Sequence, residues 1–313
     1  MSAVLAIDAG QTGIKVRSGG QDLVFPGIRT SEPLLRQLAA VVRAAVQRTG
    51  RPASIVTAGV SGLTAKEADA ATLLADMRAD GVHEVVLAHD STTSFLGALG
   101  DRQGAVVAAG TGVVTLAVGA SGVSRVDGWG HLIADAGSGY WIGREALDAV
   151  MRAFDGRGPS TQLRDVAEER WPDLSQAYID LQGDPDRVRV VASFAEHVAR
   201  LADDGDPVSQ RITVRAGSEL AHSVETALRQ VSEGTGGEPS ATEPGPTTRY
   251  SVCAIGGVFR SGQLHQAFTS HLAASSFAVS LVEPLGHGID GAVALASLGK
   301  RHPLADAVSV ART

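Results

Sequence analysis

The chain has 313 residues and a formal net charge of −7, and it is 44% hydrophobic and 19% charged, which is typical of a folded soluble protein with room for two domains. The acidic charge argues against non-specific binding to nucleic acid or to an anionic membrane. A single cysteine, Cys253, excludes a disulfide within the chain and cysteine-rich metal sites. The chain has neither a signal-peptide pattern nor a run of about 18 apolar residues, so we expect a cytoplasmic protein that does not span a membrane.

The first predicted element is a β-hairpin whose tip carries an acid, a hydroxyl and two glycines. An apolar run at 4–7 stops at Asp8-Ala9-Gly10-Gln11-Thr12-Gly13, and alternation of apolar and polar residues resumes at 14–17. Backbone N–H groups in such a turn attract phosphate oxygens, so Thr12 could reach a phosphate and Asp8 could hold Mg²⁺ through water. A plain turn with an aspartate and two permissive glycines explains the pattern equally well.

Strands and helices alternate through the chain in two halves, and each half opens with a short meander. In the first half we predict strands at 4–7, 14–18, 22–25, 54–60 and 84–88 and helices at 34–48 and 65–79. In the second half we predict strands at 105–109, 113–118, 124–126, 251–255 and 278–282 and helices at 139–154, 160–168, 186–203, 207–231, 261–273 and 288–298. The repeated order predicts a duplicated α/β fold with a cleft between two domains, residues 1–112, which 302–313 could complete, and residues 113–301.

One segment, 232–248, consists almost entirely of Gly, Ser, Thr, Glu and Pro. It cannot bury enough apolar surface to offset the entropy lost on ordering. We expect a mobile surface loop that carries no chemistry.

Two candidate ligand-binding positions follow predicted strands. Asp90 comes directly after the strand at 84–88, where the carboxyl ends of parallel strands bind ligands, but it could equally cap the helix-like segment at 94–99. Gly110-Thr111-Gly112 lies between two strands and is a second candidate phosphate turn, although Gly-x-Gly turns are common. Together with the tip at 8–13, it could hold a polyphosphate from the opposite side.

The densest cluster of candidate site residues is at 127–141. Glycines on both sides of Trp129 allow close backbone approach, its aromatic face suits the C–H side of a sugar ring, and Asp135 could accept hydrogen bonds from vicinal hydroxyls. An irregular loop whose two tryptophans fill the core explains the same residues. Gly256-Gly257 could let a flat heterocycle lie against the backbone, although such strand-to-helix turns are common. The nine histidines show no metal-ligand spacing and are interpreted as surface or structural residues.

Taken in order, these segments resemble the N-acetylglucosamine kinases of the BadF/BadG/BcrA/BcrD group in the actin–hexokinase–Hsp70 superfamily. The resemblance runs from residue 4 to the region of residue 300 and is carried by Asp8-x-Gly10-x-Thr12, Asp90, Gly110-Thr111-Gly112, Gly128-Trp129-Gly130-His131, Asp135-x-Gly137-Ser138-x-Tyr140-Trp141 and Gly256-Gly257. It implies a duplicated ribonuclease-H-like, actin-like ATPase fold. It also implies a Mg²⁺-dependent sugar kinase that binds ATP in its cleft and forms a homodimer.

The resemblance implies roles for individual residues as well. Asp90 would be the catalytic base and contact the sugar, and Asp8 would hold Mg²⁺ through water. The residues implied in ATP binding are Gly10, Gln11, Thr12, Thr111, Gly112, Ala192, Gly256 and Gly257. The residues implied in sugar binding, besides Asp90, are Asp127, Gly128, Trp129, Gly130 and Asp135.

Departures from the family pattern lie near the expected sugar site. Asp127 stands where a glycine is usual, Ala136 where a glutamate is usual, and Val113 where a serine commonly follows Gly-Thr-Gly. The extra acid could favour the free ammonium of glucosamine over an N-acetyl group. We therefore expect phosphorylation of the 6-hydroxyl of N-acetylglucosamine or glucosamine, with a muramic-acid-type sugar kinase and a non-catalytic sugar sensor as alternatives. The retained Asp8 and Asp90, and a chain that begins at its first strand without a helix-turn-helix domain, favour the enzyme.

Overall fold

The computed structural model describes residues 3–29, 31–120, 122–232 and 249–313. The loop expected at 232–248 lies outside these described residues, except for Ser232. The first elements are β1 (Val4–Ala9), β2 (Ile14–Ser18), β3 (Gln21–Phe25), α1 (Leu34–Thr49), β4 (Ile55–Val60), α2 (Ala70–Met77), β5 (Glu84–His89) and α3 (Asp90–Leu99). The middle elements are β6 (Gly104–Ala109), β7 (Val113–Val118), β8 (Val123–Val126), α4 (Gly139–Phe154), α5 (Leu163–Arg170), α6 (Ala177–Gly183), α7 (Arg187–Asp203) and α8 (Pro207–Ser232). The last elements are β9 (Tyr250–Ile255), α9 (Gly262–Ala273), β10 (Val279–Leu281), α10 (Gly288–Leu295) and β11 (Val308–Arg312).

The first sheet has six strands in the order β11-β5-β4-β1-β2-β3. Strands β1, β4 and β5 are parallel, whereas β2, β3 and β11 pair antiparallel with their neighbours. Helix α1 buries Leu34, Leu38, Val42 and Ala45 in the core of this sheet. Their spacing of three and four residues forms one apolar helix face, as the sequence predicts.

The second sheet has five strands in the order β10-β9-β6-β7-β8. Helix α7 packs against both α4 and α8, and α8 also packs against α9. Their inner faces bury apolar side chains such as Val150, Val198, Leu220 and Phe268. Asp206 precedes the long α8, and its carboxylate accepts the N–H of Ser209 at 2.9 Å and so caps the helix.

The chain divides into two compact units. The first comprises residues 1–106, 118–123 and 282–313, and the second comprises 107–117 and 124–281. Strand β11 pairs antiparallel with β5 and extends the sheet of the first unit. The domain boundaries expected at 112/113 and 301/302 stay a prediction.

Among the described residues, helix α6 and strand β11 were not predicted from the sequence. Helix α6 has seven residues, too few to show a helical period, and β11 forms as a strand because it pairs with the distant β5. Helix α2 begins at Ala70 rather than near 65, because the Asp69 carboxylate caps it by accepting the N–H of Thr72 at 3.0 Å. Within the described ranges, no helix is both long and apolar enough to cross a lipid bilayer.

Candidate active site

In the first unit, the tip between β1 and β2 is a tight turn that presents exposed residues. The N–H of Gly10 donates to the carbonyl of Gly13 at 3.0 Å, and the carbonyl of Gly10 accepts the N–H of Ile28 at 3.0 Å. Gln11 and Thr12 are exposed at this tip. The backbone is therefore held on both sides, while the hydroxyl of Thr12 remains accessible to a ligand.

The register of the first sheet places two acids at one edge. Asp8 in β1 pairs with Gly59 in β4, and Gly59 pairs with Ala88 in β5, two residues before Asp90. Because the three strands are parallel, their carboxyl ends meet at this edge. A Cβ at Gly59 would overlap the side chain of Thr93, so only glycine lets α3 start this close to the sheet.

Asp90 is the first residue of α3, and the helix is capped by its neighbour. The His89 side chain accepts the N–H of Ser91 at 3.2 Å through Nδ1, which makes His89 the N-cap. The alternative that Asp90 caps the helix is therefore wrong. The Asp90 carboxylate remains available for other contacts, and a negative charge in the first turn of a helix is favourable.

The Asp90 carboxylate has an unused acceptor. Its Oδ1 is inaccessible to solvent and is the buried side-chain oxygen that lacks a hydrogen-bond partner among the described residues. His89 Nδ1 lies 2.8 Å away, but this nitrogen can either accept from Ser91 or, when protonated, face Oδ1. The tautomer with a hydrogen on Nδ1 donates to Oδ1, whereas the tautomer that accepts from Ser91 leaves Oδ1 without a donor.

The pKa of Asp90 lies below its ordinary value. Burial of the carboxyl would raise this pKa, but hydrogen bonding and charge from His89 and a hydrogen bond from Ser61 lower it further than burial raises it. Asp90 is therefore a carboxylate at neutral pH, as a proton acceptor must be.

Asp8 interacts electrostatically with Asp90, but its pKa is shifted in the opposite direction. Burial, and then the negative charge of Asp90, raise the pKa of Asp8 against the opposing effects of Lys15 and His287. The Asp8 carboxylate is chemically suited to Mg²⁺, which usually takes one or two carboxylates together with water and phosphate oxygens. Within the described part of the chain, no group of three metal-ligating side chains occurs. The acids present thus fit an ion held largely through water.

Three residues near these acids escaped the sequence interpretation. His89 and Ser61 influence the pKa of Asp90, and His287 influences the pKa of Asp8. Ser61 directly follows β4 just as Asp90 follows β5, and this strand-end position could have indicated it. His287 comes close only through the tertiary packing of α10.

In the second unit, the Gly110–Gly112 turn is tied to the start of α4. The N–H of Gly139 donates to the carbonyl of Gly110 at 2.7 Å, and the N–H of Tyr140 donates to the carbonyl of Thr111 at 3.0 Å. These two bonds satisfy donors that the first turn of a helix otherwise leaves unpaired. The turn and the helix that follows residues 127–138 therefore form one connected structure.

A cavity of about 460 Å³ opens beside this turn within the second unit. Thr111, Ala192 and Gly257, three of the residues expected to bind ATP, lie on its wall. Gly256 has a φ of 107°, and a Cβ there would overlap the carbonyl of Ala109, so glycine is required for the turn after β9. The remaining lining residues are Gly110, Gly139, Ile142, Ala195, Glu196, Val198, Ala199, Asp203, Thr213, Val258, Arg260, Ser261 and Leu264.

On its other side, the same turn meets Asp135. A Cβ at Gly112 would lie 2.7 Å from Oδ2 of Asp135, so Gly112 borders the carboxylate rather than the cavity. Asp135 is 6% exposed, and its Oδ1 accepts the N–H of Gly130 at 3.1 Å. Burial, and then the charge of Asp127, raise the pKa of Asp135 to about 6, while Arg125 lowers it.

The loop between β8 and α4, which carries Asp135, does not fill the hydrophobic core with its tryptophan. Trp129 is 66% exposed, with the guanidinium of Arg125 5.5 Å from the centre of its ring. Trp141 is buried in α4, so the sequence alternative of two tryptophans in the core is right for Trp141 and wrong for Trp129. Residues 127–130 and Asp135 come together in this loop, as the sequence predicts.

Comparison with known proteins identifies relatives of this chain. A sequence model of the BadF/BadG/BcrA/BcrD ATPase family matches residues 1–296. An N-acetylmuramic acid/N-acetylglucosamine kinase of Clostridium acetobutylicum is 30% identical over 161 residues, which is 48% of this chain and 50% of that protein. An N-acetyl-D-glucosamine kinase of Dictyostelium discoideum is 34% identical over 142 residues, 43% of this chain and 44% of that protein. In these matches the chain spans about half the length of the curated relatives.

A solved structure shows the same fold over a greater length. A Chromobacterium violaceum protein thought to be an N-acetylglucosamine kinase superposes with a TM-score of 0.69 at 22% identity, covering 94% of this chain and 99% of that one. The duplicated ribonuclease-H-like, actin-like ATPase fold expected from the sequence is confirmed. With its two-sheet fold, its paired glycine turns and a match over nearly its whole length, the chain belongs to the BadF/BadG/BcrA/BcrD ATPase family.

Proposed function

We propose that the chain is an ATP-dependent kinase that transfers the γ-phosphoryl group to the 6-hydroxyl of N-acetylglucosamine or glucosamine. The position of the Gly110–Gly112 turn carries the proposal, because Thr111 lines the 460 Å³ cavity while Gly112 borders the buried carboxylate of Asp135. A cavity of this size suits a nucleoside. Its phosphates would then extend along the turn, toward the loop that we assign to the sugar.

Glycine turns are the elements that we assign to ATP. Ala192, Gly256 and Gly257 would border the adenosine, Thr111 and Gly112 would meet the phosphates, and the tip formed by Gly10, Gln11 and Thr12 would bind phosphates through its exposed groups. Asp8 would hold Mg²⁺ through water. When bound, this ion would neutralise the charge that develops on the transferred phosphoryl group.

Asp90 would act as the general base. A sugar hydroxyl is a weak nucleophile at neutral pH, and a carboxylate that accepts its proton raises its reactivity. The lowered pKa of Asp90 keeps the group ionised, so the carboxylate can accept this proton. As the proton moves to Asp90, the bond from sugar oxygen to the γ-phosphorus forms, the bond from that phosphorus to the bridging oxygen breaks, and ADP leaves.

The loop between β8 and α4 would bind the sugar. Asp135 would accept hydrogen bonds from sugar hydroxyls, the backbone of Gly128 and Gly130 would border the ring, and the exposed face of Trp129 would pack on its C–H side. A contact between Asp127 and the sugar stays a prediction, as do the homodimer and the cytoplasmic location.

A muramic-acid-type sugar kinase is the second candidate. The name of the Clostridium acetobutylicum relative includes N-acetylmuramic acid. That sugar carries an additional carboxylate, and Arg125, which donates to the carbonyl of Gly128 at 3.0 Å, is a cation at the loop that could pair with it.

An ADP-release assay with N-acetylglucosamine, glucosamine, N-acetylmuramic acid and glucose tests the proposal. We expect sugar-dependent ADP release with at least one of the two proposed amino sugars. Release with N-acetylmuramic acid alone would favour the second candidate. Tight sugar binding by calorimetry without ADP release for any sugar would favour the non-catalytic sensor and would overturn the kinase.

A further inference from the structure

Asp127 directs its carboxylate into its own loop. The residue has a φ of 61°, in the left-handed region that glycine adopts readily and aspartate adopts occasionally. Its Oδ1 accepts the N–H groups of Gly128 at 2.8 Å and of Asp135 at 2.9 Å, and its Oδ2 accepts the N–H of Ala136 at 3.1 Å. Both oxygens of Asp127 are therefore engaged with backbone donors.

These hydrogen bonds join the two arms of the loop. Gly128 belongs to the arm that leads to Trp129, whereas Asp135 and Ala136 belong to the arm that returns to α4. A second carboxylate contact runs in the reverse direction, from the N–H of Gly130 to Oδ1 of Asp135. Two aspartate side chains thus hold the arms together from opposite ends, and charged acceptors form the stronger class of hydrogen bond.

We infer that Asp127 is a positioning residue, which fixes Asp135 and the Gly128–Gly130 backbone for the sugar and does so without itself selecting the substituent on the sugar nitrogen. The inference rests on the proposed function and assigns this residue a role different from the ammonium contact expected from the sequence. Three of the roughly four lone-pair directions of the carboxylate already have N–H donors. A free ammonium would have to compete with them.

The charge of Asp127 also acts on Asp135. The charged groups that face Asp135 are Asp127 and Arg125, from the strand and loop before it, while the Gly110–Gly112 turn that borders it is uncharged. Removal of the negative charge of Asp127 should therefore lower the pKa of Asp135 from about 6. This electrostatic effect gives the inference a readout that a purely structural residue would not change.

Two variants separate the backbone contacts from the charge. Asp127→Gly suits the positive φ but removes all three acceptors, whereas Asp127→Asn keeps one carbonyl oxygen and removes the charge. Asp180→Asn, at an exposed residue of α6, is the matched control for loss of one surface carboxylate. Dissociation constants for N-acetylglucosamine and glucosamine are measured by calorimetry between pH 5 and pH 8, and KM for ATP is measured in the ADP-release assay.

We expect Asp127→Gly to weaken binding of both sugars by about tenfold or more and to the same extent, since charge-assisted hydrogen bonds are lost, while KM for ATP stays within about twofold. Asp127→Asn should weaken binding less and shift the midpoint of its pH dependence to lower pH. The control should match the wild type.

Four results would overturn the inference. A loss confined to glucosamine would show direct contact between Asp127 and the ammonium, and unchanged binding of both sugars in Asp127→Gly would exclude positioning. An unshifted pH midpoint in Asp127→Asn would show that the charge of Asp127 does not act on Asp135, which contradicts the inference. The proposed function fails separately, when the wild type binds sugar without releasing ADP, and in that case the binding data still decide the role of Asp127. A wild type that binds neither sugar overturns both.

Discussion

Each unit of the molecule carries a pair of aspartates beside a glycine turn, and the pKa values of Asp90 in one unit and Asp135 in the other are shifted in opposite directions. In the first unit, Asp90 has a lowered pKa and a buried oxygen without a donor. In the second unit, Asp135 has a pKa raised to about 6, and its partner Asp127 is engaged with three backbone N–H groups. The same side chain thus favours its ionised form in one unit and its protonated form in the other.

The difference follows from what surrounds each carboxylate. Asp90 starts a helix next to His89 and Ser61, which favour its ionised form. Asp135 is 6% exposed and lies next to a second negative charge, and both conditions disfavour its ionised form. Residue type alone therefore does not separate a base from a ligand, and the following experiments test whether the environments do.

The largest effect is expected for Asp90→Asn. Removal of a general base lowers kcat by about 10²–10⁴, while the dissociation constant of the sugar should change by less than threefold because Asn can still hydrogen-bond a hydroxyl (a bound of about 0.6 kcal/mol). ADP release and calorimetry measure the two quantities. Asp101→Asn, at a side chain that is 95% exposed in the same unit, is the control and should behave as the wild type. A kcat for Asp90→Asn within tenfold of the wild type would refute the assignment.

Asp135→Asn should mainly affect KM for the sugar, whereas Asp90→Asn should mainly affect kcat. Loss of a charged acceptor for sugar hydroxyls should raise KM for the sugar by about 10–100-fold while KM for ATP stays near the wild-type value. Steady-state kinetics with each substrate varied in turn measures both constants. An equal loss for ATP would mean that the change disrupts the Gly110–Gly112 turn rather than a sugar contact.

The raised pKa of Asp135 predicts a pH dependence of sugar affinity. Asp135 is ionised above about pH 6 and becomes protonated below it, so KM for the sugar should rise as the pH falls through 6, by up to about tenfold per pH unit. Asp135→Asn should lose this dependence. The measurement is KM for the sugar between pH 5 and pH 8 with ATP saturating, and a flat wild-type profile would contradict the prediction.

The smallest effect concerns stability. Below about pH 6 the folded chain binds a proton at Asp135 that the unfolded chain, with an ordinary pKa of 3.8, does not bind, so ionised Asp135 destabilises the fold at neutral pH. Asp135→Asn should therefore raise Tm at pH 7.5 by about 2–4 °C, and the gain should shrink as the pH falls toward 5. Asp90→Asn should give no gain, because its pKa is lowered rather than raised. Scanning calorimetry at both pH values decides the point.

Several features of the candidate site could be predicted from the sequence, because they depend on local patterns. Glycines next to apolar runs predicted the turns at 8–13 and 110–112, and the position of Asp90 after a strand predicted its place at the sheet edge. The role of Asp127 could not be predicted in the same way. Its sequence neighbours indicate a loop residue, but the N–H groups of Asp135 and Ala136 reach it only once the loop closes.

The sequence by itself determined most of the strands and helices and the identity of the candidate residues, because hydrophobic periodicity and glycine turns act over a few residues. Only the tertiary structure decided which acid stays ionised and which carboxylate the backbone engages. It also decided that β11 forms a strand beside β5. These properties depend on burial, charge and hydrogen-bond donors supplied by residues that are distant in the chain or brought together by loop closure, and no local pattern records them.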